Sequence, residues 1–133
     1  RMKLPAHLTL NECKTIEQAV RELATKFPNE VRFIALFGSK ARGDFGPHSD
    51  IDLLIITESD DWKIRDEIRN PVYDADIERG TFTSARVIGW ERFQNLPLSR
   101  PAFFANLRHD AIELWRRPGT ENPLQLPEPA LVH

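Results

Sequence analysis

The segment Leu36-Phe37-Gly38-Ser39-Lys40-Ala41-Arg42-Gly43, followed by Ser49-Asp50-Ile51-Asp52-Leu53-Leu54-Ile55-Ile56, constrains this chain more than any other part of it. An apolar strand ends on Gly-Ser, a polar glycine-rich loop follows, and a second apolar strand opens with two carboxylates at i and i+2. Strand side chains alternate between faces, so Asp50 and Asp52 point the same way, roughly 6–7 Å apart along the chain. Two anions on one face of an otherwise apolar strand are costly unless a cation pairs with them. Hard divalent cations with oxygen ligands, Mg²⁺ above all, suit such a pair. Gly38 and Ser39, at a tight turn, can offer backbone N–H groups and a hydroxyl to a phosphate. A metal site beside a phosphate site points to a nucleoside triphosphate.

The elements around this segment are legible from periodicity and breakers. Thr9-x-x-Glu12 has the form of a capping box and opens a helix from Leu10 to Phe27, with an apolar stripe of Ile16, Ala19/Val20, Leu23 and Phe27. Val31 to Phe37 and Asp50 to Thr57 are strands, and Leu53 to Ile56, apolar on both faces, must be central and covered by helices on at least one side. Ser59-Asp60-Asp61 caps a helix from Trp62. Pro71 is expected to end it, with Asn70-Pro71 restarting a helical segment that stops at Gly80. Thr81 to Ile88 is a third strand. A short helix follows Gly89, Pro97 interrupts it, Pro101 to Arg108 is the last helix, and Ala111 to Trp115 is an edge strand. Residues 1–117 are expected to form one domain, and the proline-rich 118–133 a flexible tail.

Composition excludes several classes. A net charge of −2 with scattered basic residues gives no field to recruit nucleic acid. Cys13 is alone, so no intrachain disulfide forms and a reducing, cytoplasmic setting is expected. No apolar run reaches the length of a membrane span. His7, His109 and His133 follow no zinc pattern, and His48 reads as a solvent-facing loop residue. Lys40 and Arg42 follow the phosphate turn. Arg42 is a candidate to neutralise phosphate oxygens, with a tie between loop and carboxylate as the competing reading; Lys40 reads mostly as a loop charge.

Gly38-Ser39, ten intervening residues and Asp50-x-Asp52 resemble the GS-x10-DxD signature of the DNA polymerase β-like nucleotidyltransferases. Ala41-Arg42-Gly43 and Ser49 narrow the resemblance to the minimal nucleotidyltransferases. It is strongest over Val31 to Thr57, and the element order carries it to about Arg117. It implies an α/β (α+β) domain with a small mixed sheet of about four strands and helices packed mainly on one face. It further implies that Asp50 and Asp52 hold Mg²⁺ as catalytic carboxylates, and that Gly38, Ser39 and Arg42 hold the nucleotide. The implied reaction moves a nucleoside monophosphate, AMP from ATP, to an acceptor, with a HEPN-type toxin as the implied partner. A non-catalytic nucleotide-binding antitoxin and an aminoglycoside-type enzyme are the alternatives. Homo-oligomerisation stays open.

The chain departs from that pattern at one place. Active members commonly carry a third carboxylate on the strand after the DxD strand, and Thr81 to Ile88 holds no acid. Asp74, Asp76 and Glu78 lie on the preceding helical stretch. Asp76 is the candidate third ligand, set against a plain surface role for all three.

Overall fold

The computed structural model describes residues 2–44, 46 and 49–126. Its elements are α1 (Leu10–Lys26), β1 (Val31–Phe37), α2 (Gly38–Arg42), β2 (Ile51–Thr57), α3 (Trp62–Arg79), β3 (Thr83–Gly89), α4 (Trp90–Gln94), α5 (Leu96–Ser99), α6 (Pro101–Asp110) and β4 (Ile112–Arg116). The four strands form one mixed sheet in the order β3-β2-β1-β4. β1 runs antiparallel to β2 and to β4, and β2 runs parallel to β3. The expected mixed α/β architecture is the one observed.

Parity along β2 sorts the core. Ile51, Leu53 and Ile55 join Ile34 and Leu36 beneath α1 and α3, the two long helices. Leu54 and Ile56 turn the other way, to Phe33, Ala35, Ile88, Phe93, Phe104 and Leu107 on the side of α4–α6. The long helices therefore share one face, and short helices close the other. Both faces of Leu53 to Ile56 are dry, as their unbroken apolarity requires. Phe104 and Leu107 are core residues, while Phe103 is only partly buried.

The capping box forms as its spacing predicts: Glu12 N–H donates to Thr9 Oγ1 (3.1 Å) and Thr9 N–H to Glu12 Oε1 (2.9 Å). The expected break at Pro71 does not occur, and α3 runs through it. Proline removes one backbone donor, but Ile68, Pro71, Val72 and Ala75 form a single buried stripe at i, i+3, i+4 and i+7. Burying side chains of this size is worth about 1.5–3 kcal/mol each, which outweighs one lost hydrogen bond of about 1 kcal/mol. Part of the segment expected as a tail packs against the second core. Leu124 is buried in the second core, and its N–H is held by Asn122 Oδ1 at 2.9 Å. The rest of that expected tail, 127–133, lies outside the described residues, as does His48.

The loop expected after Gly38 is instead the short helix α2, closed by Gly43 in the left-handed conformation (φ 89°). Lys40 explains why it is helical. Its side chain is 7% exposed and its Nζ lies 2.7 Å from Glu12 Oε2 on α1. His7 Nε2 meets the Lys40 carbonyl at 2.5 Å, adding a second tether. Burial pushes the Glu12 carboxyl up, but the Lys40 ammonium and the Thr9 N–H outweigh it and hold it below the ordinary glutamate value. A depressed folded value means that this stabilisation is present at neutral pH and disappears as pH falls through it. Glu12→Gln should therefore cost about 3 kcal/mol in urea unfolding at pH 7, because it removes the carboxylate from a buried ion pair. The double variant Glu12→Leu/Lys40→Met should recover most of that loss.

Candidate active site

β1 delivers the chain to Gly38, and β2 returns it beside that point, since Phe37 pairs with Asp52 across the antiparallel ladder. Asp52 shares a face with Leu54 and Ile56 and is half-buried where the core of that face ends. Asp50 precedes the strand and is exposed.

Gly38 is required for two reasons. Its φ of 73° lies in the left-handed region, and a Cβ there would stand 3.2 Å from Asp52 Cγ and nearer still to Oδ2. The Asp52 carboxylate thus packs directly against the start of α2. The first N–H groups of a helix have no intrahelical acceptor, so Gly38 and Ser39 bring such donors beside Asp52. The expected turn is a helix start, with the same donors.

Burial raises the Asp52 carboxyl above the ordinary aspartate value, and the charge of Asp50 raises it further; Arg86 and Arg42 pull it back. The field of Asp50 on Asp52 places the two carboxylates in one electrostatic site. A raised folded value means that ionised Asp52 opposes folding at neutral pH, and that this penalty is relieved as pH falls. Asp52→Asn should accordingly raise the thermal midpoint at pH 7 by about 3 °C, a gain that shrinks in a melt at pH 4.

The remaining candidates separate. The Arg42 guanidinium meets Asp44 (3.1 Å) and Asp110 (3.2 Å), tying α2 to the end of α6. It reaches Asp52 only through its field. Asp76 lines one groove with Asp50, but among the described residues no three His, Cys, Asp or Glu side chains group as metal ligands. Its oxygens accept from Thr81 Oγ1 (2.7 Å), Thr83 Oγ1 (2.8 Å) and the Thr83 N–H (2.9 Å), clamping the end of α3 to the start of β3. Asp76→Ala should cost about 2 kcal/mol in chemical denaturation and leave nucleotide affinity within twofold.

The parallel register identifies what sequence reasoning missed. Asp52 faces Ser84 on β3, and Leu54 faces Arg86, so a hydroxyl and a guanidinium occupy the flank where an acid was sought. Strand alternation puts Ser84 and Arg86 on one face, but only the register shows that this face is the one bearing Asp52.

Two grooves meet at Asp50. One, of about 560 Å³, is lined by Thr9, Glu12, Lys40, Ser49 and Arg79. The other, of about 510 Å³, is walled by Tyr73, Ile77 and Phe82, whose exposures of 50%, 81% and 76% make an apolar rim.

The sequence profile of the family described as "Nucleotidyltransferase domain" matches residues 16–89, from within α1 to the end of β3, a span that holds Gly38, Ser39, Asp50 and Asp52. A Methanocaldococcus jannaschii protein, named as an inferred protein adenylyltransferase, is 45% identical over 51 residues, 38% of this chain and 51% of its own length. The match thus spans about half of that curated relative. In structure, the chain resembles chains from two mutants of the toxin–antitoxin pair MntA–HpeT. The TM-scores are 0.51 and 0.53, at 21% and 15% identity, covering 93% and 87% of this chain and 81% and 79% of theirs. These likenesses establish the fold.

Proposed function

The chain belongs to the nucleotidyltransferase domain family, and from that premise we propose that it moves AMP from ATP onto a hydroxyl of a partner protein. The observation that carries this reading is the Asp52 carboxylate packed against Gly38 at the start of α2. It places an anion in need of a cation beside donors in need of a phosphate. Asp50 and Asp52 are hard oxygen donors, and the Asp52 carboxyl is raised by burial first and by the charge of Asp50 second; both fit a divalent ion whose other ligands come from phosphate and water. Mg²⁺ held there would polarise the α-phosphate and neutralise charge on the departing oxygens.

The residues of the chain do the positioning. Gly38 and Ser39 hold phosphate oxygens by backbone N–H and hydroxyl, fixing the α-phosphorus over Asp52. The acceptor hydroxyl oxygen forms the new P–O bond. The α–β bridge breaks with its electron pair leaving on pyrophosphate, and the hydroxyl proton passes to solvent, since the β3 residue paired with Asp52 is Ser84 and not an acid. The apolar rim of Tyr73, Ile77 and Phe82, contiguous with Asp50, supports a protein acceptor over a small polar one. The M. jannaschii relative carries a protein adenylyltransferase name, and the MntA–HpeT chains come from a toxin–antitoxin pair. A HEPN-type toxin is the partner that the family resemblance favours. No helix among the described residues is long and apolar enough to cross a membrane, which agrees with a cytoplasmic setting.

One observation favours a second reading, nucleotide binding without turnover: the hydroxyl of Ser84 where a third carboxylate would serve as base. Incubation with labelled ATP, Mg²⁺ and a co-expressed partner decides between them. Transfer should be seen by intact mass as an added AMP on the partner. It should fall at least a hundredfold with Asp52→Asn or Asp50→Asn, and stop on chelation of the metal. Tight complex formation with no added mass would establish the binder; full transfer by Asp52→Asn would displace the assigned site.

A further inference from the structure

The wall of the site on the β3 side is built from Arg86, Arg100 and Phe103. Phe103 of α6 meets Phe37 of β1 edge-on, with ring centroids 6.0 Å apart and planes at 78°. The same ring lies 4.9 Å from the guanidinium carbon of Arg86 on β3. Because β2 runs between those two strands, the ring bridges over β2 at the level of Asp52 and Leu54. Phe103 therefore caps the core at the point where it gives way to the Asp52 carboxylate. A second guanidinium, Arg100, lies 4.8 Å from that ring.

These two cations differ from the third in the neighbourhood. Arg42 is taken up by Asp44 and Asp110, whereas among the described residues neither Arg86 nor Arg100 has a carboxylate within ion-pair distance. An exposed cation–π contact contributes only about 0.5–1 kcal/mol, too little to explain two like charges drawn to one ring. An aromatic ring does hold both stems in place while leaving the planar donor forks free, and such forks match phosphate oxygens. A bound triphosphate would bring several anionic oxygens to a site where Gly38 and Ser39 cover only one flank.

We infer that Arg86 and Arg100, positioned by Phe103, form a clamp for phosphate oxygens of the bound nucleotide, opposite the flank held by Gly38 and Ser39. The inference rests on the nucleotide reading of the site and adds to it the residues of the second wall. The clamp is a positioning device: it makes no bond in the reaction, and it orients the chain of phosphates for departure.

Calorimetric titration of Mg·ATP, inorganic pyrophosphate and adenosine tests it, on the wild type, Arg86→Gln, Arg100→Gln, the double variant, and Arg92→Gln as a distant surface control. Each single change should weaken ATP and pyrophosphate about tenfold and leave adenosine unaffected, with Arg92→Gln silent. Arg86→Lys, which keeps the charge and loses the fork, should restore part of the loss, and it decides the matter if a Gln variant melts early. A double variant that binds ATP within twofold of wild type overturns the clamp and leaves the nucleotide reading standing. Equal weakening of adenosine and ATP also overturns it, since the loss would then be structural. Arginine-dependent binding of pyrophosphate by a wild type that ignores ATP would keep the clamp and remove the nucleotide reading. A wild type that binds neither removes both.

Discussion

The Asp52 carboxylate fills the space that a side chain at position 38 would need, and much of the molecule exists to hold that contact. β1 and β2 must pair so that Phe37 lies opposite Asp52, and the chain must then turn sharply at a residue with positive φ. α2 must start at that residue, which it does because Lys40 is drawn inward to Glu12 on α1. The capping box at Thr9 fixes the first turn of α1, and so fixes Glu12. A local sequence signature at one helix start thus helps to place the Asp52 carboxylate more than three dozen residues along the chain.

The site is charged by subtraction as much as by placement. Of the described cations near α2 and β3, Lys40 and Arg42 are committed to carboxylates of the fold. That leaves the field at Asp52 to be set mainly by burial and by Asp50, opposed by Arg86 and a distracted Arg42. The result is a carboxylate that is easier to protonate than usual. Stability at this point is given up in favour of a ligand, as is common where function is housed.

Legibility followed the physics of each element. The GS and DxD residues were readable because strand, turn and carboxylates were contiguous, and α1 because cap and stripe agreed. At Pro71 two signals conflict: the missing donor argues for a break, whereas the buried stripe Ile68, Pro71, Val72 and Ala75 carries α3 through it. Lys40 could not be placed because its partner is on another element, far away in sequence. Ser84 and Arg86 were hidden for a deeper reason. Alternation tells which residues of a strand share a face, but the register against a parallel neighbour depends on the length and closure of the crossover between them.

The last turn of that crossover is pinned by Asp76. By taking the backbone N–H and the hydroxyl of Thr83, it settles that Thr83 lies beside Ile51, and every later pair in β3 follows from the first. A slip of one residue there would turn Ala85 toward Asp52 and send Ser84 and Arg86 to the opposite face, with the sheet otherwise intact. Asp76 therefore acts as a ruler: from the end of α3 it measures out which side chains of β3 stand next to Asp52.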